Sequence, residues 1–295
     1  MTKAKIIVRI SGGLGNQLFT YAAARRLSLL NNAELVIDDE TGFIRDHIYR
    51  RSYGLDAFSI AARKATNAEK LKPFDRIRRG FLRAQAKRIP FEKRAYVYQE
   101  GPDFDPRLLR LRPQGTVYLE GCWQSENYFV DVAHTIRSDL RPSGVLSASH
   151  LETEAAIRNC CAVALHVRWF NPPGTTGQNA PRDYYHRAVA FFESRLHQPH
   201  YFVFSDNVEA VRKYLPLPVR NVTYINHRAP DSSPHTDLCL MSQCDHFIIA
   251  NSTFSWWGAW LAANPQKIIV APSVTTVSAP AWTFRGLIPD AWQCI

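Results

Sequence analysis

Short apolar runs separated by helical-period segments organise this chain. Lys5-Ile6-Ile7-Val8-Arg9-Ile10 predicts a first strand, and Leu18 to Leu30 predicts a helix rich in alanine. Glu34-Leu35-Val36-Ile37-Asp38 predicts a second strand, completing a βαβ unit of the usual length. Between the first strand and its helix lies Gly12-Gly13-Leu14-Gly15-Asn16-Gln17, a tight glycine turn with two amide side chains at its mouth. Farther on, Thr116 to Glu120 predicts a strand, Gly121 to Gln124 a turn, and Ser125 to Leu140 a helix with Ser125 as its cap. Arg141-Pro142-Ser143-Gly144 breaks the pattern, and the Ser/Ala stretch after it is the expected linker. The expected domains are therefore 1–145 and 146–295.

The second half repeats the same grammar. Cys161 to Arg168 predicts a strand, Asn171 to Pro181 a loop, and Asp183 to Leu196 a helix with Tyr185, Val189 and Phe192 on its apolar side. His200 to Phe204 predicts another strand, closed by Ser205-Asp206-Asn207. Val219 to Ile225 and Lys267 to Ala271 predict two more, and Asp237 to Gln243 a helix. His246 to Ala250 is a buried strand by its branched apolar residues; Asn251-Ser252-Thr253 interrupts it. A helix then runs from Phe254 to Ala263, with Trp256, Trp257, Trp260 and Leu261 as its stripe. Strands and helices alternating in both halves predict an α/β protein of two domains with parallel sheets.

Composition narrows the class. Apolar residues make up 46% of the 295 and charged residues 21%, which suits a globular chain with sizeable cores. No apolar run has the length of a membrane span, and the N-terminus opens into a strand with no signal-peptide pattern, so a cytoplasmic location is expected. Cys122, Cys160, Cys161, Cys239, Cys244 and Cys294 show no CxxC pairing, so zinc is not expected. The net charge of +10 is concentrated: residues 61–94 hold twelve Lys or Arg against three acids. Phe74, Ile77 and Phe81 fall at helical spacing inside that segment and predict a basic amphipathic helix. A solvated basic face is the plainer account. Contact with an anionic membrane surface or acidic glycolipid is the sharper one, and would place the protein on the inner face of a membrane. No nucleic-acid motif accompanies the charge, so nucleic acid is not an expected partner.

The candidate chemistry gathers at strand ends, where ligands of parallel sheets bind. A strand that turns through small hydroxyl residues into a helix aims backbone N–H groups at an anion above it. Asn251, Ser252, Thr253, Phe254 and Ser255 supply that turn, with ordinary helix capping as the alternative. Arg168 offers a charged planar fork suited to a diphosphate, or to an interdomain salt bridge. His166 lies on the same side of the strand. Ser205 falls at a strand end, and Asp206 and Asp237 suit a base or ribose contact as well as they suit helix caps. Such a set would stabilise a leaving nucleoside diphosphate without a metal. In the first half, Gly13 and Gly15 supply two glycines of a dinucleotide fingerprint, but Leu18 stands at the third; Asp38 or Asp39 follows about 20 residues on.

ISGGLGNQLFTYAAARRL, EGCWQSENYF, the HVR strand, YYHRAVAFF, FVFSDN and DLCLMSQCDHFIIANSTFSWWGAWLA together resemble the bacterial α-1,2-fucosyltransferases, a glycosyltransferase family 11-like set. The pieces occur in that family's order and cover most of the chain outside the basic segment and the extreme C-terminus. The resemblance implies a GT-B fold, two Rossmann-like domains facing across a cleft, the first on the acceptor side and the second binding the donor. It implies an inverting transfer from GDP-fucose to the 2-hydroxyl of a galactose-containing glycan or glycolipid, with no cofactor and no metal. On it, Arg168 matches the arginine that holds the donor diphosphate and His166 the histidine two positions earlier. Gly13, Gly15, Asn16 and Gln17 match the N-terminal loop, with Asn16 beside Arg168 in the catalytic set and Gln17 on the acceptor side. One departure stands out. The family often continues this strand with Arg-Gly-Asp-Tyr, whereas Trp169-Phe170-Asn171-Pro172 follows here.

An inverting displacement uses a base on the acceptor hydroxyl, and Asp38, Asp39 and Glu126 are the unranked candidates. A dissociative reaction, in which the departing diphosphate takes the proton, needs none of them. Two other functions stand beside the transferase: a nicotinamide-dependent oxidoreductase using the glycine turn and Asp38, and a lapsed glycan- or nucleotide-sugar-binding protein.

Overall fold

The first apolar run becomes β1 (Lys5–Arg9), which pairs in parallel with β2 (Glu34–Asp38) on one side and with β5 (Thr116–Glu120) on the other. The computed structural model describes residues 3–143, 148–173, 175, 178–225, 233–273, 282 and 285–295. Helix α1 (Leu14–Leu30) connects β1 to β2; it begins four residues earlier than its periodicity predicts, because Gly13 takes the N-cap and puts Gly15, Asn16 and Gln17 in the first turns. The outer strands are β3 (Arg63–Lys64), beside β2, and β4 (Tyr96–Tyr98), beside β5. Helix α2 (Asp75–Ala86) lies in the basic segment, and α3 (Arg107–Arg110) is a single turn. The helix expected over 125–140 is broken. Ser125 does cap, accepting from the Asn127 N–H, but two 3-10 turns precede α4 (Ala133–Asp139). Half-exposed Val130 and exposed Asp131, with Arg26 bidentate on the Asp131 carboxylate, hold this stretch on the surface.

A second parallel sheet holds the later strands. β6 (Ala162–Val167), buried at every residue, lies between β7 (His200–Ser205) and β9 (His246–Ile248). β8 (Val222–Tyr224) flanks β7, and β10 (Ile269–Ala271) and β11 (Gln293–Cys294) continue beyond β9. The helices of this part are α5 (Ala148–Arg158), α6 (Arg182–Glu193), α7 (Val208–Tyr214), α8 (Pro234–Ser242) and α9 (Thr253–Leu261). The chain divides into two compact units, Met1–Ser143 with a short return at 284–287, and Gly144–Thr283 with Ile288–Ile295. Most of the expected Ser/Ala linker falls outside the described residues. Among the described residues no helix is long and apolar enough to cross a membrane.

The two units titrate differently in acid. In the first, hydrogen bonds from Arg63 hold the Glu34 and Glu69 carboxyls below their ordinary range, Lys72 does so for Glu40 and Arg26 for Asp131. A carboxyl with a depressed folded pKa contributes stability above its unfolded value, about 4, and loses it as pH falls further. In the second unit burial lowers the pKa of His200, His235 and His246. These stay neutral when folded, so their contribution is complete above about pH 6.5 and declines as pH falls from there. The second unit is therefore expected to weaken first on acidification. Trp123 is the one tryptophan of the first unit, and the other six belong to the second. Tryptophan emission should thus change at higher pH than the far-ultraviolet signal as a whole. One coincident transition below about pH 4 would contradict this.

Candidate active site

Strand order reverses beside β6 in the second sheet. From β6 the chain runs outward through β7 and β8, then returns to the other side for β9, β10 and β11. The carboxyl ends of β6 and β9 thus flank a topological switch point, the place where open α/β sheets bind ligands. The sequence puts its most distinctive residues there. His166 is the fifth residue of β6, Arg168 follows that strand, and Asn251-Ser252-Thr253 leads from β9 into α9. The register sets Leu165 opposite Ile248, and the rings of His166 and Phe254 lie 5.6 Å apart, so the two segments meet.

The turn into α9 is built as the residues suggest. Ser252 is extended and accepts from the Phe254 N–H at 3.3 Å; the Ser255 hydroxyl donates to the Ser252 carbonyl at 3.2 Å. Behind it, Trp256, Trp257 and Trp260 pack as a buried aromatic block against one another and Trp292. A helix N-terminus on so rigid a base presents its N–H groups and dipole at a fixed place. Asn251 is buried and donates to the Gln178 carbonyl at 2.8 Å.

Arg168 is held at the strand end by Asp206, Nη1 to Oδ2 at 2.9 Å, with about a third of each side chain exposed. The other Asp206 oxygen accepts from the Trp169 N–H, so one carboxylate fixes both the guanidinium and the loop after it. Phe170 lies 5.6 Å from the guanidinium carbon. The departure loop has its own scaffold: the Asn179 Oδ1 accepts from the Phe170 and Asn171 N–H groups, at 2.7 and 3.0 Å. Asn179 and Gln178 hold this loop and Asn251 in place, and no motif marks either of them. Below the pair, burial and then the Asp206 charge push the Tyr185 hydroxyl well above its ordinary pKa. Ser205 is buried and accepts from the Asn207 N–H. Asp237 lies buried near the start of α8, two residues from His235, where the helix dipole favours a carboxylate.

The glycine turn of the first unit also lies at a switch point, since β1 is flanked by β2 and β5. Gly12 has φ +78, which favours glycine, and a Cβ there would sit 2.9 Å from the Asn16 Nδ2 and displace that amide. The Asn16 Oδ1 accepts from Gln124 Nε2 at 2.7 Å, linking the turn after β1 to the loop after β5. Gln124 closes the predicted turn, where a polar residue carries no signal of its partner. Gln17 is 2% exposed and its amide is spent on the backbone. It donates to the Gly12 and Ser52 carbonyls and accepts from the Gly54 N–H, each at 2.9 Å.

The structure separates the candidate carboxylates. Asp38 is 1% exposed; its oxygens take Arg79 Nη2 at 2.6 Å, the Thr41 hydroxyl and the Glu40 and Thr41 N–H groups. A ribose has no access to it, which removes the contact on which the nicotinamide-dependent reading rested. Asp39 pairs with Lys70 at 2.8 Å; burial pushes its carboxyl up, but the Lys70 hydrogen bond and charge bring it below the ordinary range. Glu126, half-buried, follows Gln124 and Ser125 in the loop that meets Asn16.

Comparison with known proteins identifies the family. The sequence profile described as Glycosyl transferase family 11 matches residues 5–280. An alpha-1,2-colitosyltransferase of Escherichia coli is 27% identical, over 91% of this chain and 91% of that protein. The O-antigen biosynthesis glycosyltransferase WbnK of Escherichia coli is 30% identical, over 89% and 92%. Among solved structures, a mutant of Arabidopsis thaliana FUT1 in complex with GDP superposes with a TM-score of 0.55 at 14% identity, covering 91% of this chain and 70% of that one. That likeness bears on the fold, two parallel sheets with helices in the GT-B manner. With its profile matched almost end to end and its distinctive residues at the switch points of both sheets, the chain belongs to glycosyl transferase family 11 and is a glycosyltransferase.

Proposed function

We propose that this protein transfers fucose from GDP-fucose to the 2-hydroxyl of a galactoside, with inversion and without a metal. The observation that carries the proposal is the placement of Arg168, after β6, and of the α9 N-terminus, after β9, at one switch point. Fixed donors there would meet the charge that develops on a departing diphosphate. The acceptor is a glycan or glycolipid, bound by the unit that holds Asn16. Glu126 is the proposed base, because it is half-buried in the loop whose Gln124 bonds Asn16. The protein acts in the cytoplasm, at the inner face of a membrane when the acceptor is carried by lipid.

GDP release from GDP-fucose with a panel of galactosides, in EDTA, tests the reading. Turnover should survive EDTA, and Glu126→Gln should lower kcat by about 10²-fold or more, the size of a lost general base. Full activity in Glu126→Gln would leave proton removal to the leaving diphosphate. The relative named a colitosyltransferase supports a second donor, colitose, which the same assay separates. The loop Trp169-Phe170-Asn171 supports a third reading, a lapsed binding protein: GDP would bind and no donor would turn over.

A further inference from the structure

Helix α2 is inside out. An amphipathic helix of a globular protein normally turns its apolar stripe to the core. Here the buried residues are Arg79 and Ala86, while Phe74, Ile77 and Phe81 are 70%, 71% and 63% exposed. The inner side is ionic: Arg79 bonds Asp38 and Arg83 bonds Glu120, and with Arg9 and Arg76 they line a cavity of about 280 Å³. Ile77 and Phe81, one turn apart, share a face that points to solvent. Phe74 caps the helix with φ +69, a left-handed conformation unfavourable for a bulky residue, and Leu71, three residues earlier, has φ +62. Backbone strain of that kind is tolerated where a segment serves a purpose beyond packing.

Around this apolar face the exposed charges have one sign. Arg78, Lys87 and Arg88 are exposed, and among the described residues no carboxylate forms an ion pair with any of them. We propose that α2 is a docking helix that seats the protein on an anionic lipid bilayer. Phe74, Ile77 and Phe81 enter the headgroup boundary, and Arg78, Lys87 and Arg88 meet lipid phosphates. Aromatic and branched side chains on one face with arginine and lysine beside them make an interfacial helix, and the charge selects an acidic surface over a zwitterionic one. The helix stays attached to its domain through Arg79 and Arg83, so docking needs no unfolding.

Sedimentation with vesicles, without donor or acceptor, tests this independently of the sugar transferred. Wild type should bind phosphatidylglycerol-containing vesicles and leave pure phosphatidylcholine vesicles largely unbound. Ile77→Ser/Phe81→Ser and, separately, Arg78→Gln/Arg88→Gln should each weaken binding about tenfold or more. Both pairs are solvent-exposed, so an unchanged Tm and unchanged turnover on a soluble galactoside show that fold and site are intact. Binding that ignores lipid charge, variants that bind like wild type, or no vesicle binding would each overturn the proposal. So would self-association that the Ile77/Phe81 variant abolishes in the absence of vesicle binding, which would assign the face to a second copy of the chain.

Discussion

Replacing Arg168 with alanine is expected to lower kcat by about 10²- to 10³-fold, the cost of losing one preorganised donor to a developing anion. At 1.36 kcal/mol per tenfold that is about 3–4 kcal/mol of transition-state stabilisation. The charge on a leaving diphosphate grows as the glycosidic bond breaks, so kcat should fall more than the affinity for GDP. Arg168→Lys should recover only part, because an ammonium does not reproduce the planar fork that Asp206 orients. Folding should hardly change, since the pair is about one-third exposed. GDP release by the purified variants measures the effect. A kcat within about threefold of wild type would remove Arg168 from the chemistry.

The largest stability effect is expected at Arg79→Met. Asp38 is 1% exposed and has Arg79 as its ion-pair partner at 2.6 Å. Without the guanidinium a buried carboxylate is left uncompensated, which costs about 3–5 kcal/mol. In a unit of this size each kcal/mol shifts Tm by roughly 2–4 °C, so melting should fall by about 10 °C. Adding Asp38→Asn removes the stranded charge and should restore part of the loss, although the amide meets the Glu40 and Thr41 N–H groups less well than the carboxylate does. A Tm drop below about 3 °C in the single variant would show that the pair contributes little.

The readable parts of the fold were those whose chemistry is local. β6 and β7 announce themselves as unbroken apolar runs because both faces of a parallel sheet are covered. The turn into α9 was legible because small hydroxyl residues before an apolar helix have few other uses. What stayed hidden depends on partners distant in sequence. Arg79 sits in a basic run that reads as solvated surface, and only the fold brings it 41 positions back to Asp38. The tie between Asn16 and Gln124 spans 108 positions, and neither amide reveals it alone. β11 has two residues and exists because β10 offers it an edge. The stretch after Ser125 has enough apolar residues for one helix, but Val130 and Asp131 face solvent and the turns tighten there.

The chain's late return to the first unit has a practical consequence. The Phe104 N–H donates to the Arg285 carbonyl and the Arg285 N–H to Asp103, although the flanking sequence belongs to the second unit. A chimera cut once at residue 143 would therefore give its first unit a foreign piece of chain at 284–287, however well the parental sheets matched. Exchanging the second unit between family members calls for two junctions more, so that those few residues travel with the half they complete.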